Sequence, residues 1–155
     1  MAFKVTGVAP HPSNASGAEA RVAASQAAII NAFIHALIEA RRTRGQPTDN
    51  FTAHLGPRLT VSYRSLDGRA ESRITLVYEG RTSRLTVYDN VLQHPPVDIR
   101  LIRKIFGETN GEFALLSTDE TRGETLAAAT VACYLPSGYP TNASLNVARI
   151  ESDEP

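Results

Sequence analysis

Between residues 58 and 88, polar and apolar side chains alternate with a period of two. Arg58, Thr60, Ser62 and Arg64 interleave with Leu59, Val61 and Tyr63, and the pattern returns through Arg73, Thr75, Arg84 and Thr86 to Tyr88. That period sends successive side chains to opposite faces of a strand, so the stretch predicts three strands with one dry face and one cationic, hydroxyl-bearing face. Asp67-Gly68 suits a two-residue hairpin turn, because a type I′ turn needs positive φ at both central positions. Centred there, the hairpin pairs Arg64 with Glu71, Ser62 with Arg73, Val61 with Ile74, Thr60 with Thr75 and Leu59 with Leu76. A second turn at Gly80-Arg81 pairs Leu76 with Leu85 and Ile74 with Val87. A one-residue slip would wet every aliphatic, so the dry face is strongly specified.

The period changes upstream. Residues 1–15 mix Gly7, Pro10, Pro12 and small polar residues, which predicts an extended N-terminal arm with a short edge strand at Phe3–Val8. Ser16 and Glu19 form a capping-box pattern opening a long helix to about Arg44, closed by Gly45 and Pro47. Arg41, Arg42 and Arg44 sit at its negative end, where cations offset the helix dipole. Its polar stripe is narrow, limited to Arg21, Ser25, His35, Glu39 and Arg42, whereas Val22, Ile29, Ile30, Phe33, Ile34, Leu37 and Ile38 fill most of the rest. Such a helix must be covered on more than one side. One three-stranded sheet covers one side only, so a second element or a second subunit is expected.

Downstream the signals are shorter. Phe51–Leu55 reads as an additional strand, and Pro96 suits the first turn of a short helix through Ile99, Ile102 and Phe106, with an amphipathic strand as the alternative. Phe113–Leu116 is a short apolar strand. Ser117-Thr118-Asp119-Glu120 then reads as a cap and acidic first turn of an alanine-rich helix to about Leu135, ended by Pro136 and Gly138. Thr125, Thr130 and Val131 favour the competing assignment, a buried strand at 125–135. A C-terminal tail, 139–155, holds one alternating segment at Leu145, Val147 and Ile150. The sum is a single α+β domain over 1–155: an antiparallel meander of about four to six strands, a long N-terminal helix and one or two further helices.

Composition narrows the function classes. At 155 residues and 42% hydrophobic, the chain can bury a sizeable core. Its net charge is zero, yet residues 1–106 carry 14 basic and 8 acidic side chains and residues 107–155 carry 2 and 8, a split of +6 against −6. Such a split aims a basic region at a polyanion or docks subunits head to tail. Fourteen of the sixteen cations are arginine, the residue suited to bidentate phosphate contacts, although a GC-rich genome gives the same bias. Cys133 stands alone, which excludes an internal disulfide framework and a cysteine-rich metal site. The start shows no signal-peptide pattern and no segment reads as a ~20-residue apolar span, so cytoplasmic synthesis and no membrane partner are expected.

Few residues of the chain are arranged for chemistry. His11, His35, His54 and His94 show no paired metal-ligand spacing, so neither a metal nor a cofactor is expected. His94 near Asp98 is the one spot resembling a general acid–base pair. Cys133, set among alanines, reads as a packed small hydrophobe. No glycine-rich phosphate loop, serine elbow or HExxH occurs, and no enzyme is expected. The better binding candidate is the polar sheet face: Arg58, Arg64, Arg73 and Arg84 with Thr60, Ser62, Thr75 and Thr86 offer guanidinium and hydroxyl groups to phosphates, and Tyr88 can stack on a base.

The passage Ser117-Thr118-Asp119-Glu120-Thr121-Arg122 into Leu126-Ala127-Ala128 resembles the strand-to-helix passage of some coat proteins of single-stranded RNA phages. The resemblance implies a meander whose polar face meets packaged RNA and C-terminal helices that interlock two subunits. The leading expectation is therefore a non-enzymatic, self-assembling structural protein, a viral coat or particle subunit that partners itself and turns its arginine face to RNA or another polyanion, with the virion as its place. The alternatives are a dimeric cytoplasmic partner-binding module such as a secretion chaperone, and a small enzyme or ligand-binding α+β domain.

Overall fold

The computed structural model describes residues 2–11, 17–66, 71–88, 91–92, 99–109, 111–122, 126–134 and 148–149. It is an α+β structure of two antiparallel sheets and two helices among these residues. The meander expected from the alternating pattern is a five-stranded sheet of β2 (Asn50–Gly56), β3 (Leu59–Ser65), β4 (Glu71–Tyr78), β5 (Arg81–Tyr88) and β6 (Val91–Leu92), in sequence order. Its dry face carries Phe51, Ala53, Leu59, Val61, Ile74, Leu76, Tyr78 and Leu85, all buried.

The register differs from the expected one by two residues at both turns. Leu59 pairs with Tyr78, Val61 with Leu76 and Arg64 with Arg73. The β3–β4 ladder closes with the Leu66 N–H donating to the Glu71 carbonyl at 2.9 Å, and the expected Asp67-Gly68 turn lies outside the described residues. The second turn is centred on Glu79-Gly80, with φ of 51° and 80°, the two positive values of a type I′ turn; Tyr78 pairs with Arg81 and Ile74 with Leu85. A shift of two preserves which side chains face the core, and therefore hydrophobic patterning alone does not select between the two registers.

A second sheet, unforeseen from the pattern, unites the chain ends in the order β7 (Phe113–Arg122), β8 (Leu126–Tyr134), β1 (Ala2–Pro10), β9 (Ala148–Arg149). The expected N-terminal arm is thus an inner strand. β1 pairs with β8 over nine positions, from Ala2–Tyr134 to Pro10–Leu126, and with β9 at Phe3 and Lys4. Phe3, Val5 and Ala9 point into the core while Lys4, Thr6 and Val8 point out. Of the tail, Ala148 and Arg149 are described; the alternation at Leu145, Val147 and Ile150 lies outside the described residues.

The alanine-rich helix expected from 117 to 135 is also corrected, in favour of the competing strand. Ser117–Arg122 continues β7, through register breaks between Leu115 and Ser117 and between Asp119 and Arg122, and Leu126–Tyr134 is β8. β8 lies between two neighbours and is buried on both faces at Ala127–Ala129 and Val131–Cys133, which gives a continuous apolar run that periodicity cannot tell from a helix. The passage that resembled a phage coat is accordingly strand to strand here. The short helix after Pro96 is α2 (Ile99–Glu108).

The long helix, α1 (Gly17–Thr43), forms as expected and is covered by its own chain. Residues 27–34 are buried without a gap, more than two full turns. One side packs on β1, β8 and β7, and the same hydrophobic cluster continues into the dry face of the meander sheet. Of the two expected covers for α1, a second element or a second subunit, the described residues supply the first, the sheet that unites the chain ends. Ala24, Ala28, Ala32, Ala36 and Ala40 recur every fourth residue along α1, all buried. Opposite them lies Gly7, whose added Cβ would fall 2.5 Å from the Ala32 backbone nitrogen and 2.9 Å from the Ala28 carbonyl oxygen. Phe33 joins three elements, meeting Phe106 of α2 and Phe113 of β7 edge to face, each at 5.4 Å between centroids. Each pair contributes about 1 kcal/mol beyond its buried area.

Within α1, residues 21–43 have the length and mean hydropathy, 1.4 over the best window, that a membrane span needs, contrary to the expectation of no such segment. Here 67% of that window is buried inside the protein, as in a core helix.

Candidate polyanion-binding face

The wet face of the meander sheet is built by the strand alternation itself. Cross-strand pairing arranges its side chains in three rows: Asn50, Arg64, Arg73 and Thr86; Thr52, Ser62, Thr75 and Arg84; His54, Thr60, Val77 and Thr82. Thr52 and Ser62 hydroxyls meet at 3.1 Å, and His54 Nδ1 lies 3.1 Å from Thr60 Oγ1. Arg64, Arg73 and Arg84 are exposed, and together with the hydroxyls of Thr52, Ser62 and Thr75 they line an open depression of about 560 Å³.

Arg64 stands directly opposite Arg73. Like charges placed so oppose folding, typically by about 0.5 kcal/mol when exposed. Glu71 shares the face two residues from Arg73, so the three arginines leave a net charge of +2 on this patch. No ion pair with a carboxylate is formed by Arg64, Arg73 or Arg84 among the described residues. The arrangement presents guanidinium forks and hydroxyl donors on a rigid sheet, the groups that bind phosphate oxygens.

The structure gathers six of the nine residues expected at this site into the first two rows or beside them: Arg64, Arg73, Thr86, Ser62, Thr75 and Arg84, with Thr60 in the third row. Arg58 is separate. It lies in the β2–β3 turn, where its guanidinium pairs with Glu79 at 3.3 Å and its carbonyl accepts the Glu79 N–H at 3.1 Å, clasping two neighbouring turns. Tyr88 ends β5 opposite Glu71, and its side chain lies outside the described residues. Asn50, Thr52 and His54 belong to the face and were missed. Their signal was the alternation of Thr52 and His54 with Phe51 and Ala53, which adds a fourth strand to the same wet surface.

The remaining chemical candidates have structural surroundings. Burial, with Glu112 adding to it and Arg44 opposing, pushes the Cys133 thiol up to about 12, which keeps it protonated and unreactive. Burial holds His35 below the usual imidazole range, against an opposing effect of Glu39. His94 and Asp98 lie outside the described residues. Among the described residues no three His, Cys, Asp or Glu side chains converge as metal ligands. At the end of α1, Arg41 donates to the Pro47 carbonyl at 2.7 Å and lies 4.2 Å over the Phe51 ring, Arg42 pairs with Glu39, and Arg44 pairs with Glu112 at 2.9 Å. Arg41 and Arg44 thus fasten the helix end to its surroundings, while the Arg42 pair stays within the helix.

No family model matches the chain, and no curated protein and no solved structure matches it.

Proposed function

We propose that this protein is a non-enzymatic, self-associating structural subunit, of a coat or comparable particle, that holds single-stranded RNA against the wet face of the meander sheet. The observation that carries the reading is the opposition of Arg64 and Arg73 beside Arg84 on an exposed, hydroxyl-lined face. An arrangement that costs folding energy on the bare protein becomes favourable when a phosphate lies between the guanidinium groups. His54 is the one ring on the described part of the face and it is tied to Thr60, so the reading is of phosphate and sugar contacts with little dependence on sequence.

The test combines size-exclusion chromatography, light scattering and the ratio of absorbance at 260 and 280 nm with salt-dependent RNA binding. Three arginines neutralising three phosphates of a single strand give a log–log salt slope of about −2. Arg73→Glu with Arg84→Glu lowers co-purified RNA and flattens that slope, while the melting temperature holds, because the carboxylate introduced at position 73 would stand opposite Arg64. A purified protein that is monomeric, free of nucleic acid and indifferent to these substitutions in RNA binding contradicts the reading.

A further inference from the structure

We propose that a second copy of this chain docks on the outer edge of β2, pairing antiparallel with the same strand about a two-fold axis through Ala53. This rests on the self-association in the reading above and names the contact that produces it. β2 ends the meander sheet and pairs with β3 alone, so half of its backbone N–H and C=O groups point outward with no strand partner among the described residues. Sheet edges of soluble proteins are ordinarily guarded by charge, proline, bulges or shortness. Among the described residues the other edges follow that rule: β6 and β9 span two residues each, and β7 is broken twice and carries Asp119, Glu120 and Arg122. β2 has seven residues, Asn-Phe-Thr-Ala-His-Leu-Gly, with no charge and no proline, and its single irregularity falls at its end, between His54 and Gly56.

The strand is also self-complementary. With Ala53 opposite Ala53, Thr52 of each copy faces His54 of the other on the wet side, Phe51 faces Leu55 on the dry side, and Asn50 faces Gly56. Wet meets wet and dry meets dry, so the two sheets become one without a step. The Thr–His pairing repeats one already present inside the sheet, where His54 meets Thr60 at 3.1 Å. Charge does not oppose the contact: Arg64 lies beside Asn50, which meets the other copy's Gly56, so the arginine clusters of the two copies fall diagonally across the axis. The cationic face doubles in width with no arginine opposing an arginine across the new seam.

Sedimentation velocity on nuclease-treated protein over the micromolar range tests this. The wild-type chain is expected to dimerise. Thr52→Lys with His54→Lys, and separately Thr52→Glu with His54→Glu, place like charges opposite each other across the axis and are each expected to abolish the dimer. Both positions are exposed, and circular dichroism checks that the variants stay folded. An equal mixture of the lysine and glutamate variants is expected to restore a dimer, a result no general loss of stability can produce. A wild-type chain that stays monomeric overturns both this inference and the self-associating part of the proposed function. An oligomer that survives the lysine substitutions, or a mixture that stays monomeric, overturns the β2 contact alone.

Discussion

Gly7 shows how one residue sets the spacing between two layers. The helix backbone at Ala28 and Ala32 lies so near β1 that a Cβ at position 7 would meet backbone atoms at 2.5 to 2.9 Å, and backbone atoms cannot swing away as a side-chain end can. Asn31 strengthens the same seam by donating from Nδ2 to the Val8 carbonyl at 3.1 Å, which satisfies a polar side chain that is otherwise buried. Gly7→Ala is therefore expected to force α1 outward and to cost about 2 kcal/mol, within the usual range for overpacking. The measurement is the urea midpoint at unchanged m-value, and a midpoint equal to wild type would show that the layers can separate freely. Gly7 is a strand glycine whose own propensity is unfavourable, so its presence in an inner strand is explained by this close approach.

At the scale of elements, the alternation of apolar and polar residues was a reliable guide to faces and a poor one to registers and neighbours. Leu59, Val61, Ile74, Leu76 and Leu85 lie on the core side as their spacing requires. The two-residue offset at both turns leaves that set unchanged, which is why the expected Leu59–Leu76 pair and the observed Leu59–Tyr78 pair are equally consistent with the pattern. β8 was ambiguous for a different reason: an inner strand made of alanine, with both faces buried, has no polar side to reveal its period. The terminal sheet was illegible because its strands β1 and β8 pair residues more than 100 positions apart, information that no local window contains. The candidate face was legible in its arginines and hydroxyls, whereas Arg58 was misplaced because its alternation with Leu59 continues the strand pattern into a turn. The Glu79-Gly80 turn also yields a prediction. Glu79 holds φ at 51°, a value that asparagine tolerates better than glutamate, and its exposed pair with Arg58 contributes little. Glu79→Asn is expected to stabilise the protein by about 0.5 kcal/mol, read as a raised midpoint; a lowered one would mean that the clasp between the two turns outweighs the turn conformation.

For the whole molecule, the governing fact is that α1 packs against β1, β6, β7, β8 and α2 and shares one hydrophobic cluster with the meander sheet, so a charge forced onto it is felt in both sheets. His35 is the titratable group that reports this. Burial disfavours its imidazolium, with Glu39 opposing but not overcoming that effect, and its pKa in the folded protein lies below the ordinary value of about 6.5. The unfolded chain consequently binds the proton more tightly than the native one. By linkage, the stability contributed by the neutral, buried imidazole is fully present above the unfolded-state pKa and is lost as pH falls through 6.5 toward the lower folded-state value. His35→Gln removes the titration and keeps a polar side chain of similar reach. The stability difference between wild type and His35→Gln, measured by urea unfolding from neutral pH downward, is expected to move against the wild type as the solution is acidified, and to stop changing once pH lies below the folded-state pKa. A difference that stays constant across this range would show that His35 accepts its proton in the folded protein as readily as in water, and that α1 is less enclosed than its unbroken run of buried residues from 27 to 34 requires.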